Sequence, residues 1–218
     1  MAISVVVVIG DTAAGALVSE LKSRVQHLTI GHSFSAGIDM GPLITAEHRQ
    51  KVISYVDLGV TEGADLVVDG RGYTHPEHTD GFYLAGCLFD HVKPTMRIYQ
   101  EEIFGPVLCV VRASDFETAL NYINEHPYGN GTAIFTQNGH AAREFATKVQ
   151  VGMVGINVPI PVPVAYHSFG GWKQSVFGAY GIYGEEGFRF YTRIKTVTQK
   201  WSVSALEKSN FDMPGGSD

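Results

Sequence analysis

The chain has 218 residues, of which 44% are hydrophobic and 17% are charged; this suffices for the core of one domain and excludes a disordered protein. Its formal net charge is −6 without a run of Lys or Arg, so a nucleic-acid-binding role is not expected. No apolar run is long enough to suggest a membrane span, and only two cysteines are present, which favours a cytoplasmic protein without disulfides.

The start of the chain predicts a strand followed by a helix. The β-branched run Val5 to Val8 predicts the strand, which Gly10 and Asp11 should end. Asp11 is expected to cap the helix through the free amides of its first turn. The residues at helical spacing that form its apolar face are Leu17, Val18, Leu21 and Val25.

A second helix is predicted from Thr45, which should cap it, to Gly59, which should end it. Its buried face is expected to consist of His48, Val52 and either Tyr55 or Val56. Leu66 to Val68 then predicts a short buried strand. Residues 70–81 are polar and predict a loop.

The same alternation continues through the middle of the chain. Phe82 to Phe89 and Pro106 to Val111 predict strands, and Ser114 with Glu117 predicts a capping box at the start of a helix. Further elements follow in the order strand, helix, strand, at Thr132 to Phe135, His140 to Val149 and Val154 to Val158. This order favours an α/β fold with a mainly parallel sheet covered by helices.

The last third of the chain has a different composition. Pro159, Pro161 and Pro163 alternate and predict a loop, which a glycine-rich stretch follows. Tyr191 to Thr198 alternates polar and apolar residues and predicts a long strand that would be an exposed edge unless something pairs with it. From Ser202 the composition predicts a flexible tail.

Two groups of side chains contain residue types that occur in metal sites or as nucleophiles. His75, Glu77 and His78 include metal-ligand types but lie in a polar loop without a further anchored ligand, so exposed loop residues are the favoured interpretation and no metal site is predicted. Cys87 and Cys109 each lie within apolar strands and are interpreted as inert core thiols. No phosphate-binding loop, dinucleotide fingerprint or nucleophile elbow occurs.

The segment from Glu101 to Val107 is more unusual, because two carboxylates precede Ile-Phe-Gly-Pro. Such a turn would hold Glu102 and Phe104 rigidly at the start of a strand. A carboxylate can accept two hydrogen bonds from a sugar diol, and an aromatic ring can flank a flat cofactor. The alternative, a tight turn with Phe104 in the core, is favoured when these residues are considered alone.

Several motifs nevertheless resemble the aldehyde dehydrogenase superfamily. Beyond Glu-Glu-Ile-Phe-Gly-Pro-Val, they lie at 128–136, 152–157, 168–173 and 41–45. The proline loop at 157–163 and the sequence Phe190 to Arg193 resemble its CoA-acylating, methylmalonate-semialdehyde branch. The resemblance covers residues 1–201 and is to the C-terminal, catalytic-domain part of that branch.

This resemblance implies an oxidoreductase that uses NAD and CoA, in which a cysteine attacks the aldehyde and CoA releases the acyl group. It implies a cofactor-binding role for Glu102 and Phe104 at the nicotinamide ribose. The residues that it implies at the aldehyde end are Pro161, Val162, Pro163 and Phe169. No catalytic residue is assigned, because the family nucleophile would precede Met1. The chain alone is therefore expected to be inactive and to bind neither cofactor tightly.

The resemblance also suggests how the chain is divided. Residues 1–170 would belong to the catalytic domain, 171–190 would form a glycine-rich connection, 191–201 an oligomerisation strand and 202–218 a flexible tail. Self-association through Tyr191 to Lys200 is the expected partnership. Two alternatives remain: a non-enzymatic remnant that acts as an interaction or assembly module, and an unrelated hydrolase on an α/β sheet.

Overall fold

A computed structural model describes residues 2–199 and residue 201. Strands and helices alternate along most of this part of the chain. In order they are β1 (Val5–Ile9), α1 (Asp11–Gln26), α2 (Ala46–Thr61), β2 (Asp65–Val68), β3 (Cys87–Asp90), α3 (Arg97–Gln100), β4 (Val107–Ala113), α4 (Phe116–Glu125), β5 (Tyr128–Gly129), β6 (Gly131–Ile134), α5 (Gly139–Lys148), β7 (Met153–Ile156), β8 (Trp172–Lys173) and α6 (Glu185–Tyr191).

The largest sheet has four strands in the order β1-β4-β3-β2. Strand β4 is parallel to both of its neighbours, with Val5 opposite Cys109 and Cys87 opposite Val107. Strand β2 is antiparallel to β3, and its register shifts between Leu66 and Val68. The α/β class is confirmed, with a mixed sheet whose antiparallel strand lies at one edge.

Two smaller sheets follow. Strands β6 and β7 are parallel and pair Gly131 with Met153. Strands β5 and β8 are antiparallel, two-residue strands that the sequence analysis did not predict. Strand β8 and helix α6 begin within residues 171–190, where the sequence suggested only a glycine-rich connection.

Successive side chains of β4 point to opposite sides of the four-stranded sheet, so both of its faces are apolar. A helix covers each face. On one face Val18 of α1 packs in a cluster with Leu88 and Val110. On the other face Val52 of α2 belongs to the larger cluster that contains Cys109. Two apolar layers therefore enclose the sheet, which positions the start of β4 against α2.

An ion-pair network lies at the carboxyl ends of these strands. Asp90 is 5% exposed and accepts hydrogen bonds from Arg112 Nε at 3.1 Å and Nη2 at 2.7 Å. Arg112 Nη1 also donates to Asp11 at 3.0 Å. A buried carboxylate is costly unless it is paired, so Arg112 is the partner that makes Asp90 tolerable there.

Three predicted helix boundaries are wrong. Gly10, and not Asp11, is the N-cap of α1, and no side chain caps that helix. The N-cap of α4 is Asp115, whose carboxylate accepts from the amide of Thr118, whereas Ser114 donates to Asp115. Helix α2 continues past the buried Gly59 to Thr61, since the missing side chain lets the helix approach Phe89.

Other boundaries differ in the strands. The strand predicted from Phe82 begins only at Cys87. Tyr191 is the last residue of α6, and residues 192–199 have no strand pairing within the described chain. Lys200 and the predicted tail, 202–218, lie outside the described residues. No helix within the described ranges is long and apolar enough to cross a membrane.

Candidate functional site

The turn before β4 presents Glu102 and Phe104 on the surface. It joins α3 to β4, and Ile103 between the two residues is 8% exposed. The Phe104 side chain is 78% exposed and its backbone has a φ of 59°, in the left-handed region that non-glycine residues rarely adopt. The alternative in which Phe104 fills the core is therefore wrong, and the turn directs both side chains outward.

One face of α2 holds this turn. Thr45 caps the helix by accepting a hydrogen bond from the amide of His48 at 3.0 Å, as predicted. His48 Nε2 then donates to the backbone oxygen of Phe104 at 2.7 Å. Four residues further along, Val52 packs so closely on Gly105 that a Cβ there would lie 2.6 Å from Val52 Cγ2. Helix α2 thus fixes both residues at the tip of the turn.

The first carboxylate of the pair has a structural role. Glu101 accepts hydrogen bonds from Arg97 Nε at 2.7 Å and from the Tyr55 hydroxyl at 2.5 Å. These hydrogen bonds, the one from Arg97 first, lower the pKa of Glu101 to about 2. Glu101 therefore anchors the turn to α2 and α3. Glu102 is exposed and has no hydrogen-bond or ion-pair partner among the described residues, so its carboxylate is available to a ligand.

The positioning role of His48 and Tyr55 was missed from the sequence. Their spacing with Val52 places all three on one face of α2, and the sequence analysis predicted that face as part of the core. A histidine and a tyrosine on an otherwise apolar face were the available signal, because buried polar groups require partners. The partners, Phe104 and Glu101, lie roughly fifty residues away and could not be identified by spacing.

The predicted aldehyde-end residues lie after β7. Asn157 begins this loop with a φ of 58°, and its side chain bonds the amide and carbonyl of Thr136 at 2.9 and 3.0 Å. Pro161 and Pro163 are half-buried, whereas Val162 is 51% exposed. The Phe169 ring packs edge-to-face on Tyr183 with centroids 5.0 Å apart.

The two predicted groups belong to different parts of the fold. Glu102 and Phe104 precede the four-stranded sheet, whereas the proline loop and Phe169 follow the two-stranded sheet β6–β7. Within the described part of the chain, no hydrogen bond or ring contact joins the two groups. Each group is thus held by its own supporting elements.

Neither cysteine is arranged as a nucleophile. Cys87 and Cys109 are each 1% exposed. Burial raises the pKa of both thiols, that of Cys109 to about 12. A reactive cysteine needs access and a stabilised thiolate, and these two have neither. The interpretation of both as core thiols agrees with the structure.

In the histidine-containing loop Glu77 and His78 are exposed, as the sequence suggested, whereas His75 is half-buried. The His75 ring stacks on Tyr83 at 4.8 Å, and its Nδ1 lies 3.2 Å from the amides of Glu77 and His78, which donate to it. Among the described residues, no group of three or more His, Cys, Asp or Glu side chains is placed to hold a metal ion. A cavity of about 530 Å³ lies between this loop and the first turn of α2, and Glu102, Phe104, the proline loop and Phe169 are not among its lining residues.

Comparison with known proteins gives a consistent result. The model of the aldehyde dehydrogenase family matches residues 1–197. A malonate-semialdehyde dehydrogenase of Pseudomonas aeruginosa is 58% identical over 215 residues, which are 98% of this chain and 43% of that protein. The chain thus spans less than half the length of this relative.

Solved structures resemble the fold equally well. A methylmalonate-semialdehyde dehydrogenase from Oceanimonas doudoroffii is 54% identical with a TM-score of 0.89, covering 92% of this chain and 41% of that one. A candidate methylmalonate-semialdehyde dehydrogenase from Sinorhizobium meliloti, complexed with NAD, is 48% identical with a TM-score of 0.90. That match covers 94% of this chain and 42% of the other.

Proposed function

We propose, because this chain belongs to the aldehyde dehydrogenase family, that it supplies the C-terminal part of a catalytic domain in a CoA-acylating (methyl)malonate-semialdehyde dehydrogenase. The observation that carries the proposal is the turn at 101–105, which α2 holds so that Glu102 and Phe104 face outward. The 58% identity to the malonate-semialdehyde dehydrogenase supports the choice of branch.

In this proposal Glu102 and Phe104 form one wall of the NAD site. The unpartnered Glu102 carboxylate can accept hydrogen bonds from both hydroxyls of a ribose. The exposed Phe104 ring, two residues away, offers a flat apolar surface beside it. These residues therefore fit the nicotinamide ribose. NAD, when bound, takes up the hydride that leaves the aldehyde carbon.

The wall at the aldehyde end consists of the proline loop and Phe169. Proline fixes φ, so Pro161 and Pro163 limit the movement of Val162 between them. The Phe169 ring is backed by Tyr183. An apolar wall of this kind excludes water from the carbonyl carbon and leaves recognition of the substrate carboxylate to residues elsewhere in the protein.

We further propose that the nucleophile is not in this chain. The chemistry of the family needs a thiolate that attacks the aldehyde, and burial keeps both cysteines protonated and inaccessible. The chain alone should then show no NAD-dependent aldehyde oxidation. It should also bind NAD only weakly, because one wall gives too few contacts to offset the freedom lost on binding. Its two buried, unpaired cysteines fit a reducing, cytoplasmic setting.

A hybrid protein tests the proposal. Residues 1–201 would replace the matching segment of the Pseudomonas aeruginosa relative, and NADH formation would be followed with malonate semialdehyde and CoA. Activity is expected, with a KM for NAD that rises by about tenfold in Glu102→Gln, as for the loss of a charge-assisted hydrogen bond. Glu117→Gln, an exposed carboxylate on α4, is the matched control. An inactive but folded hybrid contradicts the proposal.

A second candidate function is a non-enzymatic assembly module. The observation that favours it is the apolar surface that individual side chains expose in the last part of the described chain: Phe177 and Ile194 are each 95% exposed and Tyr191 is 85% exposed. Self-association through Tyr191 to Lys200 would cover part of this surface by adding a strand to another subunit. The same self-association is proposed for the enzyme.

Light scattering tests whether the chain self-associates. The full chain should associate at tens of micromolar, and deletion of the residues after Phe190 should abolish association without unfolding the domain. Association together with an inactive hybrid favours the assembly module over the enzyme. A monomeric full chain contradicts self-association.

A further inference from the structure

The segment that carries Phe169 is held on both sides. After it, the backbone of Gly170 passes so close to Gly152 that a Cβ at Gly152 would lie 1.5 Å from the Gly170 oxygen. This contact fixes the segment to the start of β7. Before it, residues 166–168 lie against the residues that lead into α6. The position of the Phe169 ring therefore depends on what holds that second side.

Glu186 holds it. One oxygen of this carboxylate, Oε2, accepts a hydrogen bond from the Ser168 hydroxyl and another from the Gly181 amide at 2.8 Å. Ser168 precedes Phe169 directly, so the carboxylate joins the residue before the ring to the chain that leads into α6. Hydrogen bonds to an ionised acceptor are stronger than neutral ones, which makes this an effective link on an exposed surface.

The glycines around Glu186 allow this close approach. A Cβ at Gly181 would lie 2.2 Å from Ser168 Oγ and 2.9 Å from the Phe169 oxygen. Gly184 has a φ of 64°, and a Cβ there would lie 2.8 Å from the Tyr166 oxygen. Tyr183, between these glycines, contacts the Phe169 ring. The backbone is thus shaped for the contact that Glu186 makes.

We propose that Glu186 is a positioning residue that sets the place of the Phe169 ring in the wall at the aldehyde end. The assignment of Phe169 to that wall rests on the proposed function. The hydrogen-bonded link from Glu186 to Ser168 and Gly181 is independent of it. Loss of the link should let Tyr183 and Phe169 separate and should widen the wall. The aldehyde would then bind less tightly, while hydride transfer from a bound aldehyde would change little.

The charge state of Glu186 provides a specific readout. The hydrogen bonds from Ser168 and Gly181, followed by the charge of Arg189, lower its pKa below the ordinary value for glutamate. A group with a lowered pKa stabilises the fold above its unfolded pKa, about 4.3, and that contribution is lost as the pH falls through the lower folded value.

Hydrogen exchange in the full 218-residue chain tests the link without any activity. Glu186→Ala should speed exchange of the Gly181 amide and of residues 166–170 by about tenfold, whereas Glu186→Gln, which keeps an acceptor, should change it less than about threefold. In the wild type the protection should fall as the pH drops below about 4, and in Glu186→Gln it should not. Glu185→Ala, on the same turn and exposed, should resemble the wild type.

Ser168→Ala is the second variant, in case Glu186→Ala does not fold. It removes one donor and should speed exchange at 166–170 but leave the Gly181 amide protected. In the hybrid enzyme, Glu186→Ala should raise the KM for the aldehyde by about tenfold with kcat changed less than about twofold, and Glu186→Gln should restore most of the loss.

The outcomes test the hydrogen-bonded link and the positioning role of Glu186 separately. Unchanged exchange in Glu186→Ala overturns the link, and so does protection that ignores pH below 4 in the wild type. Faster exchange with an unchanged KM overturns the positioning role. Faster exchange in the chain together with an inactive wild-type hybrid leaves the link standing and removes the proposed function instead.

Discussion

His48 Nε2 lies 2.7 Å from the backbone oxygen of Phe104, and the two rings meet edge-to-face at 6.4 Å. The bond crosses from the first turn of α2 to a residue with a positive φ. Left-handed backbone at a non-glycine residue costs about 1 kcal/mol or more and persists only where the surroundings hold it. The contact holds the backbone of Phe104 while its side chain stays 78% exposed.

Replacing His48 with Ala should loosen the turn at 101–105. Loss of one hydrogen bond, worth about 1 kcal/mol, should speed amide exchange across residues 102–105 by about fivefold. Hydrogen exchange with mass spectrometry measures this directly. Gln50→Ala, exposed on the same helix, is the control. Equal exchange in both variants would show that Val52 and Tyr55 suffice to hold the turn.

Arg112→Ala should destabilise the domain strongly. It leaves the Asp90 carboxylate, 5% exposed, without its main partner, and removing one member of a buried pair typically costs about 3 kcal/mol. Urea denaturation would measure the loss in the free energy of unfolding. Arg24→Ala, which breaks the exposed pair with Glu20, should cost less than about 1 kcal/mol.

The pH dependence of the same pair has a definite sign. Burial raises the pKa of Asp90, but hydrogen bonds from Arg112 and the His91 amide outweigh it, so the net pKa is lowered. The pair stabilises the fold above about pH 4, and this contribution is lost as the pH falls through the lowered value. In Arg112→Ala the hydrogen bonds from Arg112 no longer lower the pKa of Asp90. Burial, which raises it, is then the larger effect, so the pKa of Asp90 should rise. A variant whose stability falls as steeply on acidification as the wild type would contradict this.

Glu101→Gln should lower the pKa of the Tyr55 hydroxyl. That pKa is raised above its usual value, first by the hydrogen bond to Glu101 and then by burial, and a neutral amide does not oppose phenolate formation in the same way. NMR titration of isotope-labelled tyrosine would follow Tyr55, with Tyr122 as an internal control. An unchanged Tyr55 titration would mean that burial alone accounts for the raised pKa.

Thiol-directed alkylation should be slow in the native chain. At pH 8 a thiol with a pKa of about 12 is ionised in roughly one molecule in ten thousand, and burial further restricts access. Alkylation of Cys87 and Cys109 should therefore be at least about a hundredfold slower than in urea. Rapid modification of one thiol per native chain would reopen the assignment of the nucleophile.

The sequence predicted those elements that are determined by residues close to one another in the chain. The run Val5 to Val8 forms β1 because β-branched residues favour extended backbone, and Thr45 caps α2 through its own side chain. The cap of α4 was placed one residue early, because Ser114 and Asp115 can both cap and the choice depends on their mutual hydrogen bond. The segment 101–105 could also be recognised from the sequence, because its composition is unusual without reference to the rest of the chain.

The supports of the site could not be predicted, because they depend on contacts between distant residues. Gly59 suggests a helix end, and only the approach of Phe89 explains why the helix continues. Glu101 and Glu102 are adjacent and chemically equal in the sequence. Their roles differ because Arg97 and Tyr55 reach only the first. Tyr191 fits a strand by alternation, yet it completes the last turn of α6.

The pairing of Val5 with Cys109 has a consequence for how the chain acquires its structure. Strand β1 leaves a ribosome roughly a hundred residues before β4, the strand with which it pairs, and closing so long a loop is entropically costly and slow. Until β4 emerges, four consecutive valines remain unprotected and prone to aggregation. Synthesis that pauses before residue 113 should therefore expose this segment to chaperones, and refolding from denaturant should be limited by the docking of β1.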